Sequence, residues 1–557
     1  MTQLPAIHLC IQQPAGYVHS LGLLDPARYF RYQFRRLGAT VTMAKNRLRH
    51  DAVNFVFGAH LGFDAAQRER HACVFVNLEQ LGNGGAQVSA AYLALLASSA
   101  VVDYDAANRA AYFNAGEAGT ASHSASHSAS LDDIPVVALL HAPYLRPAVS
   151  IALEDRPIDL LFIGSMNKRR RAWIDRIEAL GLSVAQFDAP LYGPERDHFI
   201  GQAKAVVNTH FYASSRFEQA RVAHCLSLGT PVISERTAQT HPHAAFEDSV
   251  VWLEGDQLEQ FFSEDFATPE FFDVARAALA RFEQADPVEA YAELLAFAGG
   301  FCAAHHTHRP ASPWQPTRIN LGSGKDYQSG WLNLDVLERT QPDLCLDLAA
   351  ELALPHRALS PGCGPIELRA ASIDLVNANN VLEHVGDLPA LMGNCLRLLK
   401  LGGEFHIEVP FEHAPTAWQD PTHVRAMNEN SWIYYCDWFW YLGWFEHRFH
   451  VERSTFLDLQ LKDCGRAQAA FMRVVLVKVE TTLQERTTAR TLQAELRLPD
   501  DTVPEHQLWR AGVPPVGSPV TSSVASPVTS PVTSPVTSLV TSPVASLVMS
   551  LLAAQPA

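Results

Sequence analysis

The chain has 557 residues, 48% of them hydrophobic and 18% charged, with a formal net charge of −16. Such a length exceeds one ordinary core and predicts two or three domains, and the hydrophobic content is that of a globular protein. The acidic balance, with no basic stripe interleaved with aromatics, argues against nucleic acid as a partner.

Nine cysteines stand singly between Cys10 and Cys464, and the start MTQLPAIHLC has neither a charged opening nor a long apolar run. No apolar stretch reaches the roughly 18 residues that a membrane-spanning helix requires. The expectation is a reduced, cytoplasmic protein without a transmembrane segment, with peripheral membrane association left open.

In chain order, residues 6–11 read as a strand, 26–37 as a helix, and 40–44, 54–57 and 73–76 as short strands. A helix at 89–98, a strand at 100–102 and a helix at 106–114 continue an alternation that predicts a parallel, doubly wound sheet. Asp103-Tyr104-Asp105 mimics the Asp-x-Asp of metal-diphosphate sites, but its place before a helix favours an N-cap. The stretch GTASHSASHSAS at 119–130 is small and polar, and reads as a flexible loop whose two histidines lack a scaffold for a metal.

A second alternating unit begins with a strand at 158–164. It continues with a helix at 168–180, a strand at 183–187, a helix at 195–203 and a strand at 205–208. A helix at 218–228, a strand at 230–234 and two helices at 269–285 and 288–303 complete it. Two such units in succession predict two lobes with a ligand cleft between them. Asn167 is the expected N-cap of the helix after Gly164, yet Lys168, Arg169, Arg170 and Arg171 fill its first turn, where the helix dipole disfavours cations. A bound anion such as a diphosphate accounts for them; a solvated basic face is the plainer alternative.

HHTHRPASPWQP puts a proline- and histidine-rich linker at 304–316. Beyond it, a strand at 318–321 stops at Gly322-Ser323-Gly324, a second at 331–334 ends in Asp335, and a third at 344–346 ends in Asp347. As neighbours in an open sheet, these strands place a glycine turn and two carboxylates on one carboxyl edge, where such sheets bind ligands. Glycine there lets the backbone approach a ligand that any Cβ would hold off. A nicotinamide dinucleotide site needs a third glycine opening a helix and an acidic residue about twenty positions on. Tyr327 stands at the glycine position and Asp335 comes too early. A ligand with an amino-acid-like end and a ribose but no pyrophosphate fits better, which describes S-adenosyl-L-methionine.

Residues 372–380 form a fourth strand with a polar exit, 381–385 begin a helix, and a helix at 388–399 ends in a basic turn, Lys400-Leu401-Gly402-Gly403. A fifth strand at 404–410 follows, then a lid at 411–425, an aromatic run at 432–444 and a last strand at 471–479. The aromatics either stack on sugar faces or pack the lid. From Pro514 the chain is uncharged and SPVT recurs through 518–538, which predicts an extended, disordered tail.

INLGSG, NLDV, DLVNANNVLEHV and LKLGGEFHIEVP together resemble the class I S-adenosylmethionine-dependent methyltransferases, in their small-molecule and glycan-modifying branch, over about residues 317–481. The resemblance implies a Rossmann-like sheet in which Gly322, Ser323 and Gly324 lie against the methionyl part of the cofactor. By the same resemblance Asp335 holds the ribose hydroxyls, Asp347 and Leu348 border the adenine, and Asn379 and Asn380 flank the reacting end. The link after Gly324 is shorter than in the family and leaves little or no first helix. DPTHVR at 420–425 resembles a segment in methyltransferases of cell-surface glycan clusters. For a hydroxyl acceptor a general base is needed, and His423, His384, Glu383 and Asp420 are the candidates.

NFVFGAH, FVNLEQL, VVDYDAAN, LLFIGSMNKRR and FEQARVAHCLSLGTPVISE resemble GT-B-type glycosyltransferases of the spore-maturation-like group, over about residues 6–260. This second resemblance implies a nucleotide-sugar donor on the second lobe, with Gly164, Lys168 and Arg169 near its diphosphate and Glu218 near the ribose or sugar. Leu226 stands where many such enzymes carry a second glutamate.

The expected α/β architecture is a GT-B-like lobe at 1–145, a nucleotide-sugar-binding lobe at 146–303, a methyltransferase domain at 317–485 and a low-complexity tail at 486–557. The expected function is methylation of a glycan or small-molecule acceptor by a bifunctional enzyme, with no metal ligand set. The alternative is a methyltransferase whose N-terminal region is a non-catalytic glycan- or partner-binding module.

Overall fold

A computed structural model describes residues 4–112, 135–187, 189–309 and 312–492. The loop expected at 119–130 and the SPVT repeats lie outside the described residues. The first sheet contains β1 (Ile7–Ile11), β2 (Val41–Lys45), β3 (Val53–Phe57), β4 (Cys73–Asn77) and β5 (Ala100–Asp103), all parallel in the order β2-β1-β3-β4-β5. Every residue of β1, β3 and β4 is buried, as in parallel strands covered on both faces.

The second sheet contains β6 (Ile158–Phe162), β7 (Val184–Ala185), β8 (Ala203–Asn208), β9 (Val232–Glu235) and β10 (Val251–Leu253), parallel in the order β10-β9-β8-β6-β7. One hydrophobic core runs through both sheets, joining Phe30, Phe55 and Leu139 to Val206 and Phe246. The helix Val288–His308 returns from the second unit to the first, where Tyr291 packs edge-on against Tyr29 and Phe30. Its last residues are the first residues of the expected linker, so the histidines there are helical rather than extended.

The third sheet contains β11 (Arg318–Leu321), β12 (Leu332–Asp335) and β13 (Leu344–Cys345); after a hairpin, β14 (His356–Ser360) and β15 (Gly364–Leu368), it resumes with β16 (Ile373–Asn379), β17 (Leu399–Pro410), β18 (His447–Leu457), β19 (Asp463–Cys464) and β20 (Phe471–Glu480). Its order is β13-β12-β11-β16-β17-β20-β18-β19, with β13 through β17 parallel and β20, β18 and β19 antiparallel. Strand order reverses at β11, which lies between β12 and β16, so the glycine turn after β11 sits at the switch point where open α/β sheets bind ligands.

Four segments depart from the sequence reading. The helix Leu388–Leu398 gives way directly to β17, and Lys400–Gly403 are strand residues, not a helix end. β16 pairs with Leu399 and then with Glu404, and the irregularity between them is where Gly402 takes a φ of 77°. The expected helix at 106–114 opens as a 3₁₀ turn, Ala106–Asn108, capped by Asp105, which accepts from the Ala107 N–H at 2.9 Å. At 381–385 there is likewise only a 3₁₀ turn, Leu382–His384. The tail expected from 486 begins inside a helix, Leu483–Leu492. No helix of the described residues is long and apolar enough to cross a membrane.

Candidate functional site

The turn after β11 is built by its side-chain neighbours. Gly322 has a φ of 60°, and a Cβ there would overlap Val381 Cγ2 and stand 3.0 Å from Val381 Cγ1. At Gly324, with a φ of 47°, a Cβ would meet only the Gly322 carbonyl oxygen at 3.8 Å, so this position opens outward. The Gly324 N–H donates to Asp335 Oδ2 at 2.8 Å, and the Leu337 N–H donates to Oδ1 at 2.8 Å. Each carboxylate oxygen keeps a further lone pair for a ligand. Ser323 between the glycines is buried, and its Oγ has no hydrogen-bond partner.

The link after Gly324 forms no helix. Asn320 Nδ2 donates to the Asp326 carbonyl at 2.7 Å, and the Gln328 N–H donates to Asn333 Oδ1 at 2.8 Å, which folds the segment back onto β11 and β12. Asp347 is exposed just past β13 and accepts from the Ala349 N–H at 2.8 Å. Leu348 is buried in the core of the third sheet. Two exposed apolar residues that the sequence reading passed over, Val336 and Leu337, follow Asp335 directly. A cleft of 880 Å³ runs from Gly324 and Lys325 to Gln12, Lys45 and Arg47 at the carboxyl edge of the first sheet.

At the exit of β16, Asn379 and Asn380 are exposed, and Asn380 takes a φ of 52° while its side chain donates to Asn379 Oδ1 at 2.8 Å. Next come Glu383, buried, and His384, exposed; the lid returns His423 to them, with the His384 and His423 ring centroids 4.7 Å apart. Burial pushes the Glu383 carboxyl up to about 7. Of the aromatic run, Trp432, Tyr435 and Phe439 are buried in the domain, whereas Tyr434 and Tyr441 are exposed, as is Trp418 in the lid.

A family model described as a methyltransferase domain matches residues 319–407, the stretch from β11 through most of β17. This segment is a methyltransferase domain. The chain is also similar to solved structures, including an S-adenosylmethionine-dependent methyltransferase from Mesorhizobium loti, at 17% identity over 32% of this chain and 96% of that one, with a TM-score of 0.20. Two others are a putative methyltransferase complexed with the Trm112 activator of Haloferax volcanii (16% identity, 31% and 88% covered, TM-score 0.21) and a possible histamine N-methyltransferase from Thermotoga maritima (14% identity, 30% and 84% covered, TM-score 0.21). No match was found among curated proteins.

Away from the methyltransferase domain, a second cleft of 560 Å³ lies between the carboxyl edges of the first and second sheets. Gly164, Arg170, Glu218 and Arg221 line one side and Leu78, Glu79 and Gln80 the other. Gly164 has a φ of 133°, and a Cβ there would stand 3.0 Å from Arg170 Nη1 and 3.5 Å from Arg221 Cζ. Burial alone would raise the Glu218 carboxyl, but its hydrogen bond to His210 and the charges of Arg221, His210 and Arg170 hold it down to about 2. Of the basic turn, Arg169 pairs with buried Glu235, Arg170 with Glu218 at 3.1 Å, and Arg171 with Asp175 and Glu178. Lys168 is exposed. Arg221, which the sequence reading did not single out, reaches the cleft because it stands three residues after Glu218 on the same helical face.

Proposed function

We propose that the methyltransferase domain uses S-adenosyl-L-methionine to methylate a hydroxyl of a glycan or small-molecule acceptor. The observation that carries this reading is the glycine turn at the switch point, tied to Asp335 by the Gly324 N–H. The residues fit the cofactor: the open side of Gly324, the unpartnered Ser323 Oγ and the free lone pairs of Asp335 supply a close backbone approach and polar partners. Asp335 would hold the ribose, Val336, Leu337 and Asp347 would border the base, and Asn379 and Asn380 would face the sulfonium end. When bound, the cofactor supplies a methyl group activated by the positive sulfur.

The chain's own work is then alignment, exclusion of water and removal of the acceptor proton. His423 Nδ1 lies 2.8 Å from the Ala417 carbonyl and therefore carries a proton, which leaves Nε2 as the acceptor atom. With His384 and Glu383 beside it, this cluster is assigned the handling of the acceptor hydroxyl. The exposed rings of Trp418, Tyr434 and Tyr441 favour a sugar-like acceptor, whose apolar faces stack on aromatics.

The N-terminal sheets are assigned the binding of a nucleotide-sugar, on the strength of the cleft lined by Gly164, Glu218 and Arg221. A purely recognising module is favoured by one observation, the internal pairing of Arg169 with Glu235, which takes that guanidinium away from a diphosphate. Mass spectrometry of small molecules carried through purification, followed by calorimetric titration of the full chain, tests both halves. Binding of S-adenosylmethionine with no affinity for any nucleotide-sugar retains the first assignment and removes the second.

A further inference from the structure

Three groups that can each donate a lone pair meet beside the exit of β16, and the described protein gives them nothing to share. One ligand atom from each of Glu383, His384 and His423 lies within 4.8 Å of the others. Glu383 is 1% exposed, and neither of its carboxylate oxygens has a hydrogen-bond partner. A buried carboxylate left this way is costly unless it takes up a proton or a positive charge meets it.

Neither imidazole hydrogen-bonds to it. His423 Nδ1–H donates to the Ala417 carbonyl, so in the neutral ring Nε2 carries the lone pair, 4.0 Å from Glu383 Oε1 and beyond hydrogen-bond reach. Thr422 Oγ1 gives its one proton to Asp420 Oδ1 at 2.7 Å, so its 2.9 Å contact with His384 Nδ1 is one in which the ring donates. In the neutral ring His384 Nε2 therefore also carries a lone pair. Histidines whose second nitrogen is fixed by a carbonyl or a hydroxyl-carboxylate relay are oriented as metal ligands are. The loop itself is anchored, because the Val424 N–H donates to the Glu383 carbonyl at 2.9 Å.

We propose that Glu383, His384 and His423 bind a divalent transition-metal ion of the manganese-to-zinc series. Two imidazoles and a carboxylate suit those ions, and three protein ligands leave positions open, as at catalytic metal sites. Bonds of about 2.1 Å in a tetrahedron set ligand atoms about 3.4 Å apart, so the ion would draw these groups together from separations of up to 4.8 Å. The ion's function rests on the methylation reading above: an open position facing solvent at His384 takes an acceptor hydroxyl and raises its acidity. In that case the two histidines act as ligands and not as the base.

The test titrates the chelator-treated full-length chain with Co²⁺, following visible absorption, and with Mn²⁺, following its electron paramagnetic resonance. One ion per chain is expected, with affinity falling about 10-fold or more in Glu383→Gln, His423→Gln and His384→Ala. S-adenosylmethionine titration of the same variants reports whether each is folded, and the exposed His384→Ala keeps the test intact should the buried variants fail to fold. Absence of any bound ion, or equal Co²⁺ affinity in wild type and His384→Ala, overturns the proposal. Co²⁺ binding without S-adenosylmethionine binding keeps the metal site and removes the methylation reading; the reverse result does the opposite.

Discussion

One carboxylate, that of Asp335, receives the backbone N–H of Gly324 at 2.8 Å on one oxygen and that of Leu337 at 2.8 Å on the other. The turn after β11 is thereby fastened to the end of β12 before any ligand arrives, so less ordering remains to be done on binding. Asp335→Ala strands two amide donors and, on the proposed reading, also removes the partner of the ribose. The expected result is a stability loss of about 1–3 kcal/mol in urea unfolding and S-adenosylmethionine affinity weakened by at least about 10-fold. Asp335→Asn keeps one acceptor oxygen and should fall between wild type and the alanine variant in both measurements.

Gly322 is required by packing as well as by conformation. A Cβ in its place meets Val381 and is held at a φ of 60°. Gly322→Ala is expected to cost about 1–3 kcal/mol by overpacking and strain. Adding Val381→Ala removes the collision and leaves only the backbone cost, so the double variant should recover part of the loss. If the double variant is no more stable than Gly322→Ala, Val381 is not what dictates glycine here.

The strand ends at Gly322 and Asp335 were legible because each closes an apolar run with a glycine or an acid. Glu383 was visible only as one candidate base among four: that it is buried beside His423 depends on the lid, which returns His423 from 40 residues further along the chain. The arginines at 169 and 170 show the same limit. Their cations in a first helical turn called for anions, but Glu235 and Glu218, 66 and 48 residues away, supply these from within the second sheet's own unit. The bend of Lys400–Gly403 into β17 was misread because a basic residue followed by two glycines imitates a helix end, and only the pairing with β16 decides otherwise. β18 was missed because only Phe449 and Leu457 of its eleven residues are buried, so no apolar alternation marks it.

Glu218 makes acid stability a test of the second sheet's core. Its carboxyl is lowered from 4.5 to about 2 in the folded protein, with burial opposed by the His210 hydrogen bond and by Arg221, His210 and Arg170. The unfolded state binds the proton first, so the stabilisation is complete above the unfolded pKa and is lost as pH falls from about 4.5 through about 2. Glu218→Gln should therefore be less stable than wild type by roughly 2–3 kcal/mol at pH 7 and should converge with it near pH 2. Urea midpoints measured between pH 7 and pH 3 check this; a constant gap across that range would remove Glu218 as the titrating group.

The first sheet and the segment leading into β11 are joined by a contact that a double-mutant cycle can isolate. The Arg70 guanidinium carbon lies 3.9 Å from the centroid of the Trp314 ring, and Arg70 Nη1 is buried without a hydrogen-bond partner, so the ring face takes the place of an acceptor. Trp314 is in turn held by the hairpin, its N–H donating to the Pro365 carbonyl at 2.7 Å and its carbonyl accepting from the Glu367 N–H at 2.8 Å. A partly desolvated cation over an indole is worth about 1–2 kcal/mol. Arg70→Met keeps the apolar stem and loses the charge, whereas Trp314→Leu loses the ring. Each is expected to destabilise the chain, and the double variant should lose about 1–2 kcal/mol less than the sum of the two in urea unfolding. Strict additivity would mean that the two residues pack independently and that the ring does not carry the guanidinium. In that event other bridges, among them Arg47 to the Thr340 carbonyl at 2.8 Å and Gln67 to Ser329 at 2.7 Å, hold the first sheet beside the glycine turn after β11.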